Sequence, residues 1–407
     1  MRAGLLLVLG VVVCPGQRFT QRGFLETRTS LFPQEAPNDS GHVVAESLLR
    51  WEASYQAAGW LKLNLDAEAR TDTHQQVERV LRLDTLDRSP RRPAFSVRRL
   101  SLLAYRGGWT VEAGKQFIRW GKADILNPTD RFAPRDYLNV TGSDFLGVTA
   151  ARVTYERNRD TVDFVAAPRF TPSRTPLLNQ RWAVLPAEAA AFAFEDKGTR
   201  IPGRTQFGAR WSHRADGWEY ALVFYEGFHH LPLFDGAVRL FPAPAIEFER
   251  VHPTLRLYGG DVAVPLRWVT VKGEAAWFTS RTRLADEYLL YVIQLERMVG
   301  EWVFVGGYAG EAVTERRNPA DFAPDRGFAR SFLGRAQYTI GPRRSVAFEA
   351  AVRQNGEGVW LRSEYSQQLG RNWRATAGFT LIRGDGRDFL GQFRLNSYGL
   401  VALRYSF

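Results

Sequence analysis

The chain has 407 residues, 45% of them hydrophobic and 13% aromatic, and a formal net charge of +11. This length admits one large domain or two ordinary ones, while a slightly negative mean hydropathy excludes a bundle of membrane helices. The positive residues are scattered beside Asp and Glu with no basic block or nucleic-acid module, which excludes nucleic acid as a partner.

The only long apolar run is Gly4 to Val13, preceded by Arg2 and followed by Cys14 and Gly16. It is about half as long as a membrane-spanning helix requires, so 1–16 reads as a secretory signal cleaved near Gly16–Gln17. Bulky Val13 weakens the alternative of lipid attachment at Cys14. Cys14 is the single cysteine, so residues 17–407 need neither disulfide nor thiolate chemistry.

From about residue 20 onward, apolar and polar residues alternate with the period of a strand between an apolar and a wet environment. Leu61, Leu63 and Leu65 oppose Lys62, Asn64 and Asp66; Val346, Phe348, Ala350 and Val352 oppose Glu349 and Arg353. Tight turns are expected near Ala58–Gly59, Gly107–Gly108, Asn158–Arg159, Asp216–Gly217, Pro265–Leu266, Val299–Gly300, Gly341–Pro342 and Gly370–Arg371. Longer connections fall at 31–42, 71–95, 119–144, 171–205, 228–251, 280–286, 314–329 and 383–395, with one short exception at 354–358. A short helix is expected over Pro186 to Phe194, rich in Ala and Glu.

A soluble sandwich also alternates but has no reason to segregate short and long connections. Segregation is the rule for transmembrane β-barrels, with short turns on the periplasmic side and long loops outside. The fold class is therefore all-β: an antiparallel barrel of about 18 strands, 16 being the alternative count, in one domain over 17–407. Trp109, Trp218, Trp302, Trp373, Tyr405 and Phe407 fall beside tight turns or at the terminus, where an interfacial girdle belongs.

The closing segment Gly399 to Phe407, with Tyr405 and Phe407 at its end, resembles the C-terminal assembly signal of bacterial outer-membrane barrels. That resemblance implies the barrel-assembly machinery, membrane lipid and lipopolysaccharide as partners. Trp120-Gly121-Lys122-Ala123-Asp124, Asn127-Pro128-Thr129-Asp130, Pro134-Arg135-Asp136 and Phe389 to Phe393 resemble segments of poorly characterised porin-like outer-membrane families. The resemblance implies an integral outer-membrane barrel, with monomer and trimer both open. In general porins, the third external loop enters the barrel and narrows it, which by analogy makes Arg119, Lys122, Asp124, Asp130, Arg131, Arg135 and Asp136 the candidate constriction. Trp120 is expected as a packing anchor.

Charges facing lipid near the midplane are costly, so polar-face charges belong in the lumen. The candidates are Lys62, Glu112, Arg152, Arg210, Lys272, Glu274, Arg335, Glu349, Arg353, Arg362, Glu364, Arg374 and Arg404. An arginine excess among them favours anions, unless cross-strand pairing neutralises it. No catalytic motif appears, and no cofactor or metal is expected. His229-His230 reads as exposed loop, with weak metal binding the alternative. Ser212-His213 shows no acidic partner. The expected function is a non-enzymatic channel for small polar solutes, anions included. The alternatives are a secretion, export or adhesion barrel and, less favoured, a lipid-modifying enzyme.

Overall fold

A computed structural model describes residues 18–185, 192–317 and 322–407. The expected signal, 1–16, lies outside the described residues, as does most of the helix expected over 186–194. Ala193 and Phe194, at the end of that stretch, instead open a strand, because Ala193–Arg200 pairs with Ala245–Val251 of another loop.

Eighteen antiparallel strands close into one barrel. They are β1 Phe19–Leu31, β2 Val43–Ala58, β3 Leu61–Asp72, β4 Phe95–Arg106, β5 Trp109–Gln116 and β6 Val148–Arg157. Next come β7 Asp160–Ala167, β8 Gln206–Ala215, β9 Trp218–Phe228, β10 Thr254–Pro265, β11 Thr270–Thr279 and β12 Glu287–Val299. The last six are β13 Trp302–Glu315, β14 Ser331–Gly341, β15 Arg344–Arg353, β16 Gly358–Leu369, β17 Trp373–Gly384 and β18 Tyr398–Ser406. Each pairs with its sequence neighbours, and β1 pairs with β18, Leu25 facing Tyr405, so no edge remains. The even count puts the start of β1 and the end of β18 on the side of the tight turns, each of which falls where the sequence places it.

Closure is sealed at Gly23, which exchanges two 3.0 Å backbone bonds with Phe407. A Cβ on Gly23 would lie 2.5 Å from the Phe407 ring, so only glycine lets the terminal aromatic lie across β1.

The outer face is an apolar band in which Phe164, Leu222, Ile293, Phe332, Phe348, Phe379 and Val401 are exposed. Trp109, Trp218, Trp302, Trp373, Tyr405 and Phe407 are exposed too, at its turn-side margin. Water would not tolerate so continuous a band, whereas hydrocarbon requires it.

The interior departs from simple alternation. Tyr288, Leu290 and Val292 of β12 are at most 3% exposed although they share the inner face, while Ile293 and Leu295 face outward. The inner face of β9 to β12 carries Val223, Tyr225, Leu257 and Phe278, all buried. These strands are apolar on both faces because the loop between β5 and β6 packs against them from inside.

Candidate functional site

That loop, 117–147, is the third long connection. Ile118, Trp120, Leu126, Phe132 and Val140 form its apolar underside and join the cluster on the barrel wall. Trp120 is the packing anchor expected of it, 5% exposed and edge-on to Phe132 at 5.5 Å, with Phe132 edge-on to Tyr225 at 5.0 Å. The wall makes room at Gly208, where a Cβ would sit 2.5 Å from Phe132 and 2.8 Å from Trp120.

Two carboxylates fix the backbone of the loop. Asp130 accepts the Trp120 and Gly121 N–H groups at 2.6 and 2.7 Å and pairs with Arg119 at 3.2 Å. Glu274, on β11, accepts the N–H groups of Lys122, Ala123 and Thr129 at 2.9, 3.0 and 2.8 Å, and the Thr129 hydroxyl at 2.8 Å. Three of the four partners are backbone N–H groups, which can only donate, so both carboxylate oxygens are held as acceptors. Asp124 is held by Gln294 and, at 3.3 Å, by Lys272. Lys122 pairs with Glu219, and Arg131 pairs with Asp325 of the seventh loop at 3.2 Å while lying 4.8 Å over Phe278. The loop thus hugs the wall from β6 to β12, seven of the eighteen strands.

Beneath the second and fourth loops lies a buried charge lattice. Asp136, 3% exposed, binds Arg92 at 2.9 Å and Arg174 at 3.1 Å; Arg174 also reaches Asp87, which pairs with Lys115 at 2.5 Å. Burial alone would raise the Asp136 pKa, but the two guanidinium groups hold it well below the usual carboxylate range. The fourth loop then crosses the mouth toward the β1–β18 seam. Its Arg181 lies 3.7 Å over Phe32 and 3.5 Å from Asp39, and its carbonyl accepts Asn396 at 2.9 Å.

A cavity of about 420 Å³ remains between the third loop and the opposite wall. Of the seven constriction candidates, Asp124, Asp130, Arg131 and Arg135 line it. Arg119, Lys122 and Asp136 do not, and Asp136 is corrected from pore to lattice because Arg92 and Arg174 enclose it. Arg135 and Arg119 both lie 4.2 Å over the Phe145 ring.

Of the wall candidates, Arg335, Glu349 and Arg362 line the cavity. Glu274 is corrected from open lumen to loop anchor, 3% exposed beneath the third loop. Most others are paired: Arg152 with Asp163, Arg210 with Asp261, Lys272 with Glu296 and Glu112 with Arg99. Arg353 pairs with Asp388, Arg362 with Glu364 and Arg404 with Glu26. Lys62 lines a smaller recess with Glu52, Asp66 and Arg99, and Arg374 is exposed near the turn side. Arg28 lines the cavity and was missed, although the inward parity of Glu26 on the same strand marks it.

Two histidine expectations are overturned. His229 and His230 are not exposed: His230 stacks on Phe170 at 5.1 Å and its Nδ1 bonds the Thr171 carbonyl at 2.7 Å. His252 joins them through the His229 carbonyl. Burial lowers the pKa of His229 and His230 to about 4, and that of His252 to about 3. His213 does have an acidic partner, since strand register sets Asp160 opposite, 2.9 Å away. Ser212 and His213 are consecutive in a strand and face opposite ways, so they form no relay. Among the described residues, no cluster of His, Cys, Asp and Glu suits a metal ion.

The barrel aligns end to end with solved structures. A BenF-like porin from Pseudomonas fluorescens Pf-5 matches with a TM-score of 0.55 at 11% identity, over 96% of this chain and 98% of that one. Its fold is that of the outer-membrane porins. Pseudomonas aeruginosa OccK3 matches with a TM-score of 0.53 at 10% identity, over 95% of both chains. Acinetobacter baumannii OccAB4 matches with a TM-score of 0.52 at 8% identity, over 97% of this chain and all (100%) of that one. No protein-family model and no curated protein matches the sequence. A closed wall, an apolar outer band and this porin fold make the chain an integral barrel of the outer-membrane type.

Proposed function

We propose that this barrel is a passive channel for small polar solutes, favouring anions, with the third loop and the facing wall as its filter. One observation carries the reading: on the facing wall, Arg28, Arg335 and Arg362 line the cavity and are at least as exposed as their carboxylate partners. The side chains of Arg28, Arg335 and Arg362 are 50, 39 and 38% exposed, against 9, 26 and 35% for Glu26, Glu349 and Glu364. A passing solute therefore meets guanidinium donors first, and these suit carboxylates and phosphates. Across the cavity, Arg135 adds a cation that lacks a carboxylate partner among the described residues. Catalysis plays no part in this reading.

The test is single-channel recording of the refolded barrel in planar bilayers under a salt gradient. Stable open steps with an anion-favouring reversal potential are expected. Silence from a folded barrel would overturn the channel, and a cation-favouring potential would overturn the anion preference.

A further inference from the structure

The lipid-facing wall of β13 to β17 is not uniformly convex. Strand register puts Gly306, Gly334, Ala350 and Leu361 side by side, with Phe304, Ala336, Phe348, Ser363 and Phe379 in the next row toward the turns. Small residues floor an apolar hollow of about 610 Å³, and Phe304, Phe348 and Phe379, each more than 40% exposed, rim it. The floor is open: a Cβ on Gly334 would meet nothing within 4 Å.

Below the hollow, charge gathers at the turn-side rim. Arg344 shares the outward face of β15 with Val346, Phe348 and Ala350. Arg343 belongs to the same turn, and its carbonyl accepts the Gln368 N–H at 2.8 Å, tying it to the next turn, which carries Arg371. Arg343, Arg344 and Arg371 are exposed and form no ion pair among the described residues. Trp302 stacks on Tyr338 at 4.6 Å beside them, and Trp373 lies at the same rim. These aromatics mark the headgroup level.

From Arg344 to Phe348 is four residues, and to Ala350 six. At about 3.3 Å per residue and a tilt of about 40°, they lie about 10 and 15 Å above the rim. Half of a hydrocarbon core about 30 Å thick is the depth of one acyl chain.

We propose that this face is a binding site for an anionic phospholipid of the periplasmic leaflet. Its phosphate sits among Arg343, Arg344 and Arg371, and one acyl chain fills the hollow between the phenylalanine rings. The charge complementarity selects the headgroup, and the depth of the hollow fits a lipid chain. A second barrel laid against this wall about a two-fold axis would confront the same three arginines with their own copies.

Native mass spectrometry of the intact barrel, titrated with phosphatidylglycerol and separately with phosphatidylcholine, tests the site. One phosphatidylglycerol is expected to persist per barrel, with phosphatidylcholine retained several-fold less. Arg344→Gln is expected to weaken retention about fivefold or more. Gly334→Leu, which fills the hollow from outside, should do the same while leaving the barrel folded. Equal retention of the two lipids by the unaltered barrel would overturn the proposal, and so would unchanged retention in either variant. Equal displacement by inorganic phosphate would overturn it as well, since the anion alone would then be the ligand.

Discussion

Glu274 is the point at which wall and third loop are most tightly joined, and Glu274→Ala is the perturbation that isolates the joint. Its carboxylate accepts four bonds, three from backbone N–H groups, at 2.8 to 3.0 Å. A bond to a charged acceptor contributes about 1.5–3 kcal/mol. Water entering the lumen recovers part of each, so about 1 kcal/mol per bond is a fair net loss, or about 4 kcal/mol together. That raises the detachment constant of the 117–147 segment about a thousandfold. Asp130 still shapes the loop internally, and the β11 ladder is untouched, so heat stability of the barrel should barely move. Single-channel recording should show larger and noisier open currents, and proteolysis should cut within 117–147. Glu274→Gln sharpens the test, because its amide turns one acceptor into a donor that faces at least one backbone N–H group in either orientation. It should therefore behave like the alanine variant. Parental conductance, noise and cleavage in both variants would refute the anchoring argument.

Arg135→Glu places a negative charge in the cavity where a positive one stood. At about 6 Å in water, this two-charge change is worth roughly 1 kcal/mol to a passing ion, so the reversal potential should move toward cations. Lys122→Glu should move it less, because Lys122 lies outside the cavity lining, paired with Glu219. Gly208→Val drives a side chain into Phe132 and Trp120 and should weaken loop docking by about 1–3 kcal/mol, read as new protease sites within 117–147. The histidines of the fifth loop set an acid limit. Their folded pKa values of about 4, 4 and 3 lie below the ordinary 6.5, so their packing is fully stable above pH 6.5 and is lost as pH falls toward 4 and 3. For His252, 5% exposed, the whole window is worth about 5 kcal/mol. Asp325 opposes this at His229, while Arg131 and Arg326 reinforce it. Proteolysis at pH 7 and pH 4 should show fifth-loop cleavage only in acid.

The wall was legible in the sequence because its determinants are local. A strand with lipid on one side must alternate, and a turn such as Asn158–Arg159 must reverse the chain within two residues, so period and punctuation suffice. The interior was not legible to the same degree. Tyr288 to Ile293 is apolar without a break, and the cause lies more than 140 residues away, in the underside of the third loop. The lattice of Asp87, Arg92, Asp136 and Arg174 joins three loops, and nothing near any of them in the chain predicts its partners. His213 shows the same limit, since Asp160 becomes its partner only through strand register.

Charge in the third loop shows how such partners change what a residue can do. By type alone, Lys122, Asp124, Asp130, Arg131, Arg135 and Asp136 are equivalent filter elements. Five of them have a partner of opposite charge: Glu219, Lys272, Arg119, Asp325 and Arg92 respectively. A paired charge presents a solute with a dipole whose field falls off quickly, whereas an unpaired one acts as a full charge over the width of the cavity. Arg135 stacks on Phe145, which holds the guanidinium in place without neutralising it. Facing it are Arg28, Arg335 and Arg362, each more exposed than its carboxylate partner. The segment therefore divides into charges that are paired and one that meets the solute unpaired, and selectivity should follow Arg135 and the opposite wall more closely than the loop's total charge.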